Sequence, residues 1–203
     1  MKDLSELQQW FSELHGPYQL RVSQTYTPEM DWLRLAAFPE AQPFGTDQDP
    51  YDIRAWHLTI NHTNRLAGYG RLIPGPDGCF AGWTASPFLI NTAQAADSSR
   101  WASAESFTGC GLPDVIGPAH LLLAQASGFR YVHGAVRPGR RILSLLTELG
   151  FRAVHNPINA TEHHCNYSLV LQLITCDLTA LTFSLQERIR SAWEDLRFPS
   201  ENK

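Results

Sequence analysis

Between Asp114 and Gly150 the spacing of the apolar residues changes twice, and this restricts the chain to a layered fold of sheet and helix. Val115, Ile116, Ala119, Leu122, Leu123 and Ala126 fall on one face of a helix over 114–127, which Gly128 stops. Residues 131–136 read as a strand. Ile142, Leu145, Leu146 and Leu149 then return to helical spacing over 140–149, with Gly150 as the stop. A helix with one apolar stripe must lay it on another element. A strand set between two such helices belongs to a sheet that helices can cover.

The remaining segments extend this pattern. A short amphipathic helix over 4–14 ends at Gly16-Pro17, and 18–23 alternates as a strand. Thr27 is placed as an N-cap with Pro28 at the first helical position. That helix carries Met30, Leu33, Ala37 and Phe38 on its apolar side and ends before Pro39. A loop over 39–50 follows, then strands 54–62 and 66–73, joined as a hairpin. A strand is expected at 99–108, a short one at 151–155 and another at 167–174, with Asp177 capping a last helix to about residue 196. The expected class is α+β, one domain over 1–203: an αβα sandwich with a mixed central sheet. This order of elements is similar to the acyltransferase sheet of the Gcn5-related N-acetyltransferases.

Composition excludes several classes of function. At 203 residues, 43% hydrophobic and 18% charged, the chain suits one full core. A net charge of −4 argues against nucleic-acid binding driven by overall charge. No apolar stretch reaches the roughly 18 residues of a membrane span, and the first residues lack an apolar signal core, so a cytoplasmic location is expected. The four cysteines form no CxxC pair. His163 and His164 are adjacent and share no helix or strand face, so no metal is expected. No Gly-x-Ser-x-Gly elbow occurs, and no serine or cysteine shows a paired base.

The charged residues of the first hundred positions point to chemistry. Arg34-xxx-Phe38, Asp47-x-Asp49-xx-Asp52, Arg71 and Asp97-x-Ser99-Arg100 include three stretches beside apolar, strand-like sequence. Charges there are costly unless opposite charge or a charged ligand meets them. Carboxylates and guanidiniums gathered in this way suit a ligand carrying both an ammonium and a carboxylate.

The spacing resembles the acyl-homoserine-lactone synthases from about Arg34 to Gly150. That family has a helix ending in Arg-xxx-Phe, then Glu-x-Asp-xx-Asp, a strand ending in Gly-xx-Arg-Leu-Leu-Pro, a Phe, and Glu-Leu-Ser-Arg-Phe-Ala. Here these are Arg34 and Phe38; Asp47, Asp49 and Asp52; Gly68-Tyr69-Gly70-Arg71-Leu72-Ile73-Pro74; Phe88; and Asp97 to Ala102. Two family glutamates are aspartates here, Asp47 and Asp97, and the Trp that usually follows the Arg-xxx-Phe helix is not at its place. These departures mark a divergent member.

The resemblance implies acyl transfer to the amine of S-adenosylmethionine, a substrate and not a cofactor, followed by lactone closure with loss of methylthioadenosine. The donor is acyl carrier protein or acyl-CoA, and no cofactor is implied. Arg34, Phe38, Asp47, Asp49, Asp52 and Phe88 would bind S-adenosylmethionine, with Asp97, Arg71 and Arg100 in catalytic roles. The acyl pocket is expected between the central strands, lined by Trp101, Phe107, Leu122, Ala135 and Leu146. Arg137, Arg140 and Arg141 are a candidate docking patch for an acidic carrier protein. The missing Gln/Arg-xx-Gly-x-Gly/Ala loop of acetyl-CoA transferases favours the carrier-protein donor. The alternatives are an enzyme making an N-acyl amino acid and a non-catalytic binding protein on the same scaffold.

Overall fold

The computed structural model describes residues 4–75, 92–137, 142–154, 158–161 and 168–198. In chain order these form α1 (Leu4–Ser12), β1 (Tyr18–Ser23), α2 (Pro28–Ala37), β2 (Trp56–His62), β3 (Arg65–Pro74) and β4 (Ala95–Ser103). They continue with α3 (Leu112–Ala126), β5 (Tyr131–Val136), α4 (Ile142–Glu148), β6 (Arg152–Ala153), β7 (Ile158–Thr161), β8 (Ser168–Asp177) and α5 (Leu185–Glu194). The sheet runs β1-β2-β3-β4-β5-β8-β6, with β7 paired to the first half of β8. All of its pairings are antiparallel except β4 with β5.

Two features of β4 shape the molecule. Its parallel pairing with β5 covers only Ala95–Ser98. Beyond Ser98, β4 stays on β3 and parts from β5. Its register with β3 also slips, since Tyr69 faces Ala102 while Arg71 faces Ser99. Two residues, Arg100 and Trp101, thus stand opposite the single Gly70. This is a β-bulge, and Arg100 takes a φ of 57° within it.

The two faces of the sheet are covered differently. The main core lies under α1, α3 and α5, where Leu58, Ile60, Leu72, Ala96 and Val132 meet Val115, Ile116, Ala119 and Ile189. The other face carries α2 over β3 and β4, with a smaller cluster of Met30, Leu33, Tyr69 and Ala102. Tight contact between α3 and the sheet depends on small residues. A Cβ on Gly70 would lie 2.6 Å from the His120 ring, and one on Gly117 would lie 2.9 Å from the indole of Trp101.

Several boundaries differ from the sequence reading. The strand expected at 99–108 runs from Ala95 to Ser103, and Glu105–Phe107 is a turn of 3-10 helix. The bulge explains this shift, because it breaks the alternation that locates a strand. Residues 39–44, expected as loop, form a 3-10 helix. The short strand expected at 151–155 contracts to Arg152–Ala153, and β7 lies where the sequence reading has no strand. Asp177 does not cap the last helix. It ends β8, and its carboxylate accepts the Thr179 N–H at 3.0 Å to open a 3-10 turn. Ser184 caps α5, its hydroxyl taking the Glu187 N–H. On α2, Arg34 takes the buried side while Ala37 is exposed.

Candidate functional site

Of the seven charged residues singled out in the sequence, all but Asp97 come together in one network on the α2 face of the sheet. They form an unbroken chain of alternating charge. Arg100 Nε lies 2.8 Å from Asp47 Oδ2, and Arg34 Nε donates to the same oxygen at 2.7 Å. Arg34 Nη1 reaches Asp52 Oδ1 at 2.8 Å, and Arg71 Nη1 reaches that oxygen at 2.9 Å. Arg71 Nη1 also donates to Asp49 Oδ1 at 2.7 Å. Four separate segments therefore meet: α2, the loop after it, β3, and β4, which supplies Arg100 from its bulge and Ser99, whose hydroxyl accepts from Arg71 Nε at 3.1 Å.

Burial makes this chain energetically consequential. Arg34 and Asp52 are fully buried, and Arg71, Asp47 and Asp49 nearly so. Three guanidiniums face three carboxylates, so the formal charges cancel within the cluster. Burial would raise the Asp52 carboxyl, but Arg71, Arg34 and the Asp49 N–H hold it below the usual aspartate value. Burial and the nearby Arg71 would likewise discharge Arg34, yet Asp47 and Asp52 keep its guanidinium charged.

The bulge is what delivers Arg100. A regular strand would turn residue 100 to the α3 face, with Ser98. The extra residue sends Arg100 towards Asp47, with its guanidinium 5.3 Å from the Phe38 ring centre. The cost is a left-handed backbone at a non-glycine residue, of order 1–3 kcal/mol.

Several partners were not anticipated. Asp31 Oδ1 accepts the Asp47 N–H at 2.9 Å and the Tyr26 and Thr46 hydroxyls. His57 bridges the Asp52 carbonyl at 3.0 Å and the Tyr69 hydroxyl at 2.8 Å. The rings of Tyr26 and Tyr69 flank the Arg34 guanidinium. Burial lowers the His57 pKa and raises those of Tyr26 and Tyr69, so all three rings stay neutral at pH 7. His57 and Tyr69 share the strand face of Arg71, which period-2 spacing gives. Their contact with Asp52 depends on how the loop folds back.

Asp97 is buried in β4, opposite Ile73 on one side and His133 on the other. His133 is itself buried, with Nδ1 3.0 Å from the Thr175 hydroxyl. Arg137, at the end of β5, is half-buried, whereas Phe88, Arg140 and Arg141 lie outside the described residues.

Of the five residues expected to line an acyl pocket, Phe107, Leu122 and Leu146 belong to the main core and Trp101 packs against it. Phe107 packs against Tyr18 and His62. Leu122 borders a cavity of about 410 Å³ with Leu7, Leu178, Leu181, Phe183 and Leu185, on the α3 side of the sheet. Leu146 is a core residue, and Ala135 alternates away from Val136, which joins that core. Trp101 stands where β4 and β5 part.

A serine with a histidine partner is present after all. Ser98 Oγ lies 2.7 Å from His120 Nδ1, and the Trp101 indole N–H reaches both, at 2.8 and 3.0 Å. The indole is donor only, so Nδ1 is an acceptor and Nε2, facing Gly70, carries the hydrogen. Burial drives the His120 pKa down to about 3. A base that weak does not activate a serine, and the trio acts as a lock on Trp101.

No family model matches this chain, and no curated protein matches it. Solved structures do share its fold. A CoA-dependent acyl-homoserine lactone synthase, BjaI, with SAM and isopentyl-CoA, is 15% identical with a TM-score of 0.61, covering 85% of this chain and 82% of its own. TofI, in a ternary complex with an inhibitor and MTA, is 13% identical with a TM-score of 0.57, covering 86% and 99%. A GNAT family acetyltransferase from Elizabethkingia anophelis with acetyl-CoA bound is 16% identical with a TM-score of 0.55, covering 80% and 99%. Mixed sheet, parting strands and flanking helices together give this chain the fold of the Gcn5-related N-acetyltransferases.

Proposed function

We propose that this protein is an acyltransferase that joins an acyl group to the amine of S-adenosylmethionine and closes the product to an N-acyl-homoserine lactone. The observation that carries the reading is the chain of alternating charge from Arg100 through Asp47, Arg34, Asp52 and Arg71 to Asp49. Its spacing in sequence resembles the lactone synthases, and two of the neighbours in fold bear that name or were captured with MTA. The acyl thioester would enter where β4 and β5 part, with Asp97 near the amine as the group that moves its proton. Asp47 Oδ1 is buried and receives no hydrogen bond among the described residues, which suits an ammonium. The network would hold the acidic loop and Arg100 in place before substrate arrives, so that little reorganisation accompanies reaction.

The test is incubation of the purified chain with S-adenosylmethionine and panels of acyl carrier protein and CoA thioesters. Lactone with an equal amount of methylthioadenosine is the expected outcome. N-acyl amino acid without methylthioadenosine would identify the second reading, an N-acyltransferase on this scaffold.

A further inference from the structure

We propose that Trp101 is the specificity-determining residue of the donor site and limits it to short acyl chains. This rests on the reading above that the thioester enters at the parting of β4 and β5.

The bulge that sends Arg100 to the charged face sends Trp101 to the α3 face, at the point where β5 leaves β4. There the indole is fixed on three sides. Its N–H is held by Ser98 Oγ at 2.8 Å and His120 Nδ1 at 3.0 Å. Its far edge lies so close to Gly117 that a Cβ there would sit 2.9 Å from it. Leu149, which a Cβ on Gly117 would also meet at 2.6 Å, closes the same space behind the ring. His120 has no room to withdraw, because a Cβ on Gly70 would meet its ring at 2.6 Å. A ring with two hydrogen bonds and a helix at its back does not swing aside for a growing alkyl chain. The space it fills is the α3 side of the strand opening, so a chain extending that way ends at the indole.

The experiment measures both turnover and equilibrium binding of acyl carrier protein and acyl-CoA thioesters of increasing chain length, for the native chain and for Trp101→Ala, Trp101→Phe and Ser98→Ala. For the native chain, efficiency and affinity fall by roughly tenfold for each two methylenes beyond the limit. Trp101→Ala moves that limit outward by about two carbons or more, and the two milder variants move it less. Circular dichroism and melting temperature identify variants that remain folded, and Trp101→Phe keeps most of the ring if Trp101→Ala does not fold. A native preference for chains of about ten carbons, or an unchanged length profile in a folded Trp101 variant, would overturn the proposal. Length-dependent binding relaxed by Trp101→Ala, but without any turnover, supports it while overturning the lactone synthase reading. Absence of binding to every thioester overturns both.

Discussion

Asp52 shows why single residues of the network matter more for folding than their charge alone suggests. Its Oδ1 receives Arg34 and Arg71, and its Oδ2 takes the Asp49 N–H at 2.9 Å. Removing one partner leaves the other buried and uncompensated, which costs about 3–5 kcal/mol. Arg34→Ala and Asp52→Ala are therefore expected to be destabilised by about that amount, read from the urea midpoint at constant m-value. From the sequence alone, Asp52 reads as a ligand-binding group that could be removed with the fold intact. Its burial assigns it a structural role in addition. The spacing of Asp47, Asp49 and Asp52 was legible as a set. Their closure with Arg34, Arg71 and Arg100 was not, because it joins segments up to 66 positions apart, from Arg34 to Arg100.

Among the elements, β4 is where local pattern and tertiary structure part most. Small residues at Ala95, Ala96 and Ser98 let β5 and α3 approach, but they give little apolar signal, so β4 begins four residues before the expected position 99. The opposite case is α5. Ser184 followed by Glu187 is a capping pattern visible in sequence, and it caps α5 in place of Asp177, the cap expected from the sequence. Asp177 is instead held by Thr179 and by Arg130 at 3.1 Å. The packing of α3 on β3 gives a test at this scale. Gly70→Ala forces a Cβ to within 2.6 Å of His120 and 2.8 Å of Ile116, so α3 must shift. The expected loss is about 1–3 kcal/mol, measured by thermal or urea unfolding. A fully native stability would show that α3 is less tightly seated than described.

For the whole molecule, the buried charges and imidazoles predict sensitivity to acid. Unfolded histidine takes up a proton near pH 6.5, whereas folded His120 does so only at about 3. Between those values the unfolded state binds more protons, so stability rises with pH and falls as pH drops. His57, with its pKa also lowered, acts in the same direction. Asp52 is depressed as well, so its contribution is present above the ordinary aspartate value and is lost as pH falls through the folded one. From pH 6.5 down to about 5 the carboxylates stay ionised, and the histidine effect is seen by itself. Urea midpoints across that interval should decline, and less steeply in His120→Leu. An equal slope in that variant would show that His120 is not the buried neutral group described.

The sequence by itself determined the order of elements, the covering of a mixed sheet by helices, and which charged residues are too costly to bury alone. These follow from spacing along a helix or strand and from the energy of desolvating a charge, both of which act locally. Tertiary structure decided how the charges pair, that Trp101 and Arg100 leave β4 on opposite faces, and that Ser98 meets His120. A single inserted residue in β4 reverses the faces that follow it, and only the register with β3 reveals it.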